Sequence, residues 1–131
     1  MQKLSNGVSN YEDLIRENRV YVDKTMYIEK MESLPDKTLM FLRPRKFGKT
    51  LFTSVLENYY DKNKSNKFEF LFKNTYIGKH PTELRNSYSI LKFNFSGIDT
   101  ENVEATMKGF KEKVTISVEG FIKKYGIDFY I

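Results

Sequence analysis

Residues Thr38 to Tyr60, TLMFLRPRKFGKTLFTSVLENYY, decide the fold. Thr38–Leu42 is a short, almost wholly apolar run bounded by turn residues on both sides, the pattern of a strand buried on both faces of a parallel sheet. A basic loop, RPRKFGK, follows. From Lys49 the period changes: Leu51, Phe52, Val55, Leu56 and Tyr59 recur at helical spacing, which predicts a helix from Lys49 to about Asp61. The order strand, loop, helix is the setting of a phosphate-binding loop.

The full loop pattern is G-x-x-x-x-G-K-[ST]. Gly48-Lys49-Thr50 supplies its last positions, whereas the first glycine position is taken by Arg43, so the motif is degenerate. A helix N-terminus offers N–H groups without intrahelical partners and roughly half a positive charge, which favours an anion. The N–H groups around Phe47–Thr50 would point at a β-phosphate. Gly48 allows close backbone approach. Lys49 can bridge β- and γ-phosphates. The Thr50 hydroxyl is the expected Mg2+ ligand. Arg43, Arg45 and Lys46 add charge, and either arginine can present forked donors to a phosphate. The candidate nucleotide-binding residues are therefore Arg43, Arg45, Lys46, Phe47, Gly48, Lys49, Thr50 and Leu51, with Thr50 as the metal residue. The bland alternative is a helix that begins with GKT after a basic turn; the strand-to-helix junction favours phosphate.

Hydrolysis requires a further part, an apolar strand ending in an acid that holds Mg2+ and positions water. The run at Ser89–Phe95 ends in Ser96-Gly97 with Asp99 beyond it, and Asp128 sits inside the terminal run. Neither fits, so no catalytic residue is assigned and hydrolysis by this chain alone is not expected.

Outward from the loop, a helix is predicted over Tyr11–Asn18 with Ser9 or Asn10 as N-cap, a short strand over Val20–Val22, and a helix over Lys24–Ser33 with Asp23 placed to cap it. Lys62–Lys67 reads as a polar loop, Phe68–Phe72 as a short aromatic helix, Gly78–Pro81 as a turn and Ser89–Phe95 as a second strand. Thr100 is placed to cap a long final helix, on which Val103, Met107, Phe110, Val114, Val118, Phe121 and Tyr125 form one apolar stripe. Ile127–Ile131 looks like the start of a third strand. The expected fold class is α/β: a P-loop NTPase-like parallel sheet with flanking helices, present as the N-terminal portion of the fold in a single domain over residues 1–131 of a longer protein.

Bulk properties agree with a folded domain. Of 131 residues, 40% are hydrophobic and 30% charged, and Phe (11) and Tyr (9) are plentiful enough to fill much of a core. No run approaches the ~20 apolar residues of a membrane helix, no signal-like segment opens the chain, and cysteine is absent, which excludes disulfides and thiolate metal sites. A cytoplasmic protein without membrane partners is expected. The single histidine, His80, excludes a multi-histidine metal site and reads as a surface loop residue. Lys plus Arg at 22 against Asp plus Glu at 17 gives +5, a balance that attracts phosphate-bearing partners without specifying which.

Tyr21-Val22-Asp23-Lys24-Thr25 (YVDKT) and Phe41–Leu51 (FLRPRKFGKTL), at their separation, resemble a bacterial and archaeal family with an AAA-ATPase-like N-terminal domain, often followed by a PD-(D/E)xK nuclease-like domain. The resemblance runs from about Leu4 to the end of the chain. That family carries Arg at the first glycine position, as Arg43 does here. The resemblance implies ATP with Mg2+, contacted by Lys49 and Thr50, and an acidic strand C-terminal to anything present here. From the residues themselves, Tyr21–Thr25 has no derivable chemistry, and Asp23 reads as a helix cap rather than a catalytic acid.

The rival reading is a nucleic-acid-binding module, motivated by basic clusters at Arg43–Lys49, Lys62–Lys67, Lys108–Lys113 and Lys123-Lys124. Interleaved acids and the absence of a recognition signature weigh against it. A third reading is a protein-interaction domain with a vestigial loop. An incomplete sheet would also expose an edge and an apolar face, which invites homo-oligomers.

Overall fold

The computed structural model describes residues 10–35, 49–95 and 97–127, with only the backbone of Lys49. The chain divides into two units, residues 1–88 and 89–131. Among the described residues there are helices and no strand, so the expected parallel sheet is corrected. Val20–Val22 and Ser89–Phe95, read as strands, have no strand ladder. Alternating side chains favour extended backbone, but a strand exists only when another segment takes up its N–H and C=O groups. Among the described residues only single bridge positions occur, at Arg19 and in the parallel pair Asp61–Tyr88. Thr38–Leu42 lies outside the described residues.

The first unit contains α1 (Tyr11–Arg16), α2 (Met26–Glu32), α3 (Lys49–Tyr60), a 3-10 segment (Lys62–Lys67), α4 (Phe68–Phe72) and α5 (Tyr76–Lys79). Asn10 caps α1, its Oδ1 accepting from the Asp13 N–H at 3.1 Å. The predicted loop Lys62–Lys67 is helical instead, because the Asp61 carboxylate accepts from the Asn63 N–H at 3.0 Å and starts a 3-10 turn. Gly78, predicted in a turn, is inside α5, whose first N–H groups are captured by distant side chains. The apolar face of α3, Val55 and Tyr59, meets Tyr11, Ile28, Phe68, Leu71, Phe72 and Ile77 in one buried cluster. Aromatic rings carry much of it: Tyr11 stacks on Phe72 at 5.1 Å, and Tyr59 meets Phe72 edge-on at 5.7 Å. The Tyr11 hydroxyl donates to the Leu71 carbonyl at 2.6 Å, so its burial leaves no polar atom stranded.

Glu12 joins α1 to the 3-10 segment, accepting from Lys64 Nζ at 2.6 Å and Lys67 Nζ at 2.7 Å. Those hydrogen bonds, Lys64 first, hold its carboxyl down from 4.5 to about 2, against a smaller upward push from partial burial. A depressed carboxyl contributes stability that is complete above its unfolded value and is lost as pH falls through the folded value. Replacing Glu12 with Gln should lower the urea midpoint at pH 7 by an amount worth about 1 kcal/mol or less, since the lysines are partly solvated. The difference should close between pH 4.5 and 2. A gap of constant size down to pH 2 would refute the ion-pair origin.

The second unit is α6 (Val103–Tyr125) and the segment before it. Asn102, not Thr100, caps α6; its Oδ1 accepts from the Ala105 N–H at 2.7 Å. The helix ends at Gly126, whose backbone is left-handed at φ 62°. The Ile90 N–H donates to the Tyr125 hydroxyl at 2.7 Å, while Phe95 stacks on Phe110 at 5.2 Å and on Phe93 at 5.9 Å. At ~1.5 Å per helical residue, the stretch from Tyr125 back to Phe110 is about 22 Å, so residues 90–95 run extended and antiparallel to α6 from its C-terminal end towards its middle. Ile98 then seats on Gly109, where a Cβ would come within 2.9 Å of its Cγ2. No residue of α6 is buried: Val103 is 80% exposed and Phe110 46%. The predicted apolar stripe exists, but this unit covers it only in part.

Candidate functional site

Arg43, Arg45, Lys46, Phe47 and Gly48 lie outside the described residues. Lys49 is the first residue of α3, Thr50 is exposed beside it, and the Leu51 side chain packs against the buried cluster. The first turn of α3 holds no acid, as is also true of α5 and the 3-10 segment, whereas α1, α2, α4 and α6 each hold at least one. An anion at this helix end would therefore meet no carboxylate from the turn itself.

The rest of α3 is held from several sides. Ser54, one turn beyond Thr50, accepts from the Tyr11 N–H at 2.8 Å and so satisfies a donor at the start of α1. At the other end, the Asn86 N–H donates to the Tyr59 carbonyl at 2.8 Å, its side-chain amide to the Asp61 carbonyl at 2.8 Å, and the Tyr88 N–H to the Tyr60 carbonyl at 2.9 Å. These are the carbonyls that a helix end leaves without partners. Asn86 reaches them from a left-handed backbone (φ 51°), a conformation Asn tolerates better than most residues. The Tyr60 hydroxyl and Thr82 Oγ1 both donate to Glu32 Oε2 at 2.8 Å. With the Thr82 proton committed to Glu32, the Tyr59 hydroxyl donates to Thr82 Oγ1 at 2.7 Å and accepts from the Thr82 N–H at 2.8 Å. Burial, followed by the Glu32 contact, raises the Tyr60 phenol above its ordinary value. None of Ser54, Thr82, Asn86 or Tyr88 stood out in the sequence; only the tolerance of Asn86 for positive φ offered a signal.

The structure explains the YVDKT signature. Asp23 Oδ1 accepts from the Thr25 N–H at 2.9 Å and the Thr25 hydroxyl at 2.6 Å. Its Oδ2 accepts from the Tyr76 N–H at 2.7 Å, and Thr25 Oγ1 accepts from the Ile77 N–H at 3.1 Å. Asp23 does not cap the adjacent helix as expected; its Oδ2 instead takes the first N–H of α5, 53 residues away in sequence at Tyr76, beside the N-cap Thr75. The nearby helix starts later than expected, at Met26, and its N-cap residue, Thr25, makes no side-chain cap bond to it. Tyr21 meets Tyr11 edge-on at 5.1 Å, and burial pushes its hydroxyl up to about 12 although the Lys24 N–H donates to it.

Among the described residues, no group of three or more His, Cys, Asp or Glu side chains could hold a metal. His80 is exposed with its ring 4.7 Å from that of Tyr76. Within the basic stretch 62–67, Lys64 and Lys67 are engaged by Glu12. Phe68 and Phe72 are core residues, whereas Phe70 between them is exposed. No helix among the described residues is long and apolar enough to cross a membrane.

A family model described as predicted AAA-ATPase matches residues 5–128. The chain belongs to this family. No curated protein and no solved structure matches it. Membership in the AAA-ATPase-like family agrees with nucleotide binding in general terms, and the match says nothing of a nuclease-like domain.

Proposed function

We propose that this AAA-ATPase-like chain binds ATP with Mg2+ through the degenerate loop Arg43–Thr50. Lys49 supplies charge to the β- and γ-phosphates, Gly48 and its neighbours supply backbone donors, and the Thr50 hydroxyl is the residue offered to Mg2+. Arg43, Arg45 and Lys46 complete the positive rim. The observation that carries the reading is Lys49-Thr50, the last two residues of the GKT motif, at the head of α3, a helix with no acid in its first turn, in a chain whose family match includes the loop. Against the nucleic-acid alternative, Lys64 and Lys67 are engaged within the protein.

Calorimetric titration of ATP with Mg2+ into the chain, beside a Lys49→Ala variant of unchanged circular dichroism, tests the proposal. The variant should weaken binding by about tenfold or more, the worth of a charged hydrogen bond to phosphate. No saturable binding by the folded wild type, or equal affinity in the variant, would sink the reading.

A further inference from the structure

We propose that residues 91–95 are a pairing edge for a second copy of this chain, the two segments lying antiparallel about a two-fold axis through Phe93. Main-chain geometry singles out the edge. In an extended run, the N–H and C=O groups of successive residues point to opposite sides. On one side, the Ile90 N–H is taken by the Tyr125 hydroxyl of α6 at 2.7 Å. On the other, the main chain of Leu91, Phe93 and Phe95 makes no hydrogen bond among the described residues. A row of unpaired groups is a template for another strand, and LKFNF holds neither proline nor glycine to blunt it. The apolar side chains of the run also lack cover: Leu91, Phe93 and Phe95 are 42%, 42% and 45% exposed. The Phe93 and Phe95 rings stack with their planes 4° apart, which puts them on one face, and Phe95 on Phe110 brings α6 to that face.

The order of residues in the run decides the occupant. Reversed against itself about Phe93, LKFNF sets Leu91 opposite Phe95, Phe93 opposite its own copy, and Lys92 opposite Asn94. Apolar residues meet apolar ones, and the one charge of the run meets a neutral amide rather than a second lysine, so no like charges are opposed. The free groups belong to Leu91, Phe93 and Phe95, so the pairs these residues form across the axis are of the hydrogen-bonded type, each exchanging both N–H···O=C bonds. An axis perpendicular to the paired segments keeps the two apolar faces, and the α6 behind each, on one side. Such an isologous contact uses up the free edge of both copies and closes at a dimer. Three half-exposed side chains from each copy are fewer than a permanent interface supplies, so the dimer depends on concentration.

Sedimentation equilibrium of the whole chain over a concentration series tests this. The mass should climb toward twice that of the monomer by about 1 mM, the weak end of specific association. A monomer throughout, or a mass that climbs past the dimer, overturns the proposal. Phe93→Lys and Phe93→Glu each set like charges against their own copy across the axis, and each should weaken the dimer about tenfold or more while keeping the helical circular dichroism. Mixed in equal amounts, the two variants should dimerise again, because the axis then sets Lys against Glu. Unfolded chains cannot give that rescue, so it separates loss of the contact from loss of the fold. A dimer indifferent to both substitutions, or no rescue between folded variants, rejects the two-fold register. If the variants unfold, isotope-filtered NMR on mixed labelled and unlabelled wild type decides. Lys92 and Asn94 form the non-hydrogen-bonded pair, with Cα atoms about 4.5 Å apart, so their Hα protons should show a contact between copies. A dimer without that contact overturns the pairing.

Discussion

Gly78→Ala is expected to unfold the first unit under conditions where the wild type is stable. A Cβ at this position would lie 1.7 Å from the Phe72 carbonyl oxygen and 2.6 Å from its carbon, which is backbone and cannot rotate away. That carbonyl is itself pinned, accepting from the Thr75 N–H at 3.0 Å and the Thr75 hydroxyl at 2.8 Å. Nor can α5 back off, because its leading N–H groups are held by Asp23 and Thr25. Relief requires breaking one set of bonds or the other beside the buried Phe72 and Ile77. The loss should be on the order of 3 kcal/mol or more, beyond ordinary overpacking because backbone rather than side chain is struck. Against a typical total of about 5–15 kcal/mol this is a large fraction. Urea denaturation followed by circular dichroism measures it; a midpoint within error of wild type would show that α5 and α4 are not packed as described.

Asp23→Ala should cost about 3 kcal/mol, because one carboxylate serves donors from two distant segments. Its removal strands the Tyr76 N–H and the Thr25 N–H together, and frees the Thr25 hydroxyl that accepts from Ile77. Thr25 is fully buried, so its hydroxyl cannot turn to water for a substitute. Thr25→Val, nearly the same in shape, should lose less, and the double variant should lose less than the two single losses added, since all the bonds belong to one network. Strictly additive losses would dissolve the network. If Asp23 were a catalytic acid, Asp23→Ala would instead leave the denaturation midpoint in place.

The helices were legible because their signals are local. The spacing of Leu51, Phe52, Val55 and Tyr59 marked α3 to within a residue of its end, Phe68–Phe72 forms the helix predicted for it, and Asn10 caps α1 from the adjacent position. The Asp61 turn was missed although it too is local: KNKSNK is polar enough to read as loop, and the bond that starts the 3-10 turn comes from the residue before it. Residues 90–95 show why an alternating pattern was misleading. Leu91, Phe93 and Phe95 alternate as a strand would, yet the run forms no strand, and its Ile90 and Phe95 reach α6. The candidate site was legible as a motif, whereas its support was not.

By itself the sequence determined the family, through YVDKT and the GKT loop, and the positions of most helices, because those depend on residues within one or two turns of each other. Only the tertiary structure decided where helix ends find their partners. Asp23 faces Tyr76 across 53 residues and Asn86 faces Asp61 across 25. Such pairs carry no spacing rule: orphan N–H and C=O groups must be satisfied by whatever donor or acceptor the packing of Tyr11, Tyr59 and Phe72 brings alongside. The same dependence on a partner leaves the predicted strands without a sheet among the described residues, since extended backbone becomes a strand only through hydrogen bonds made by another segment.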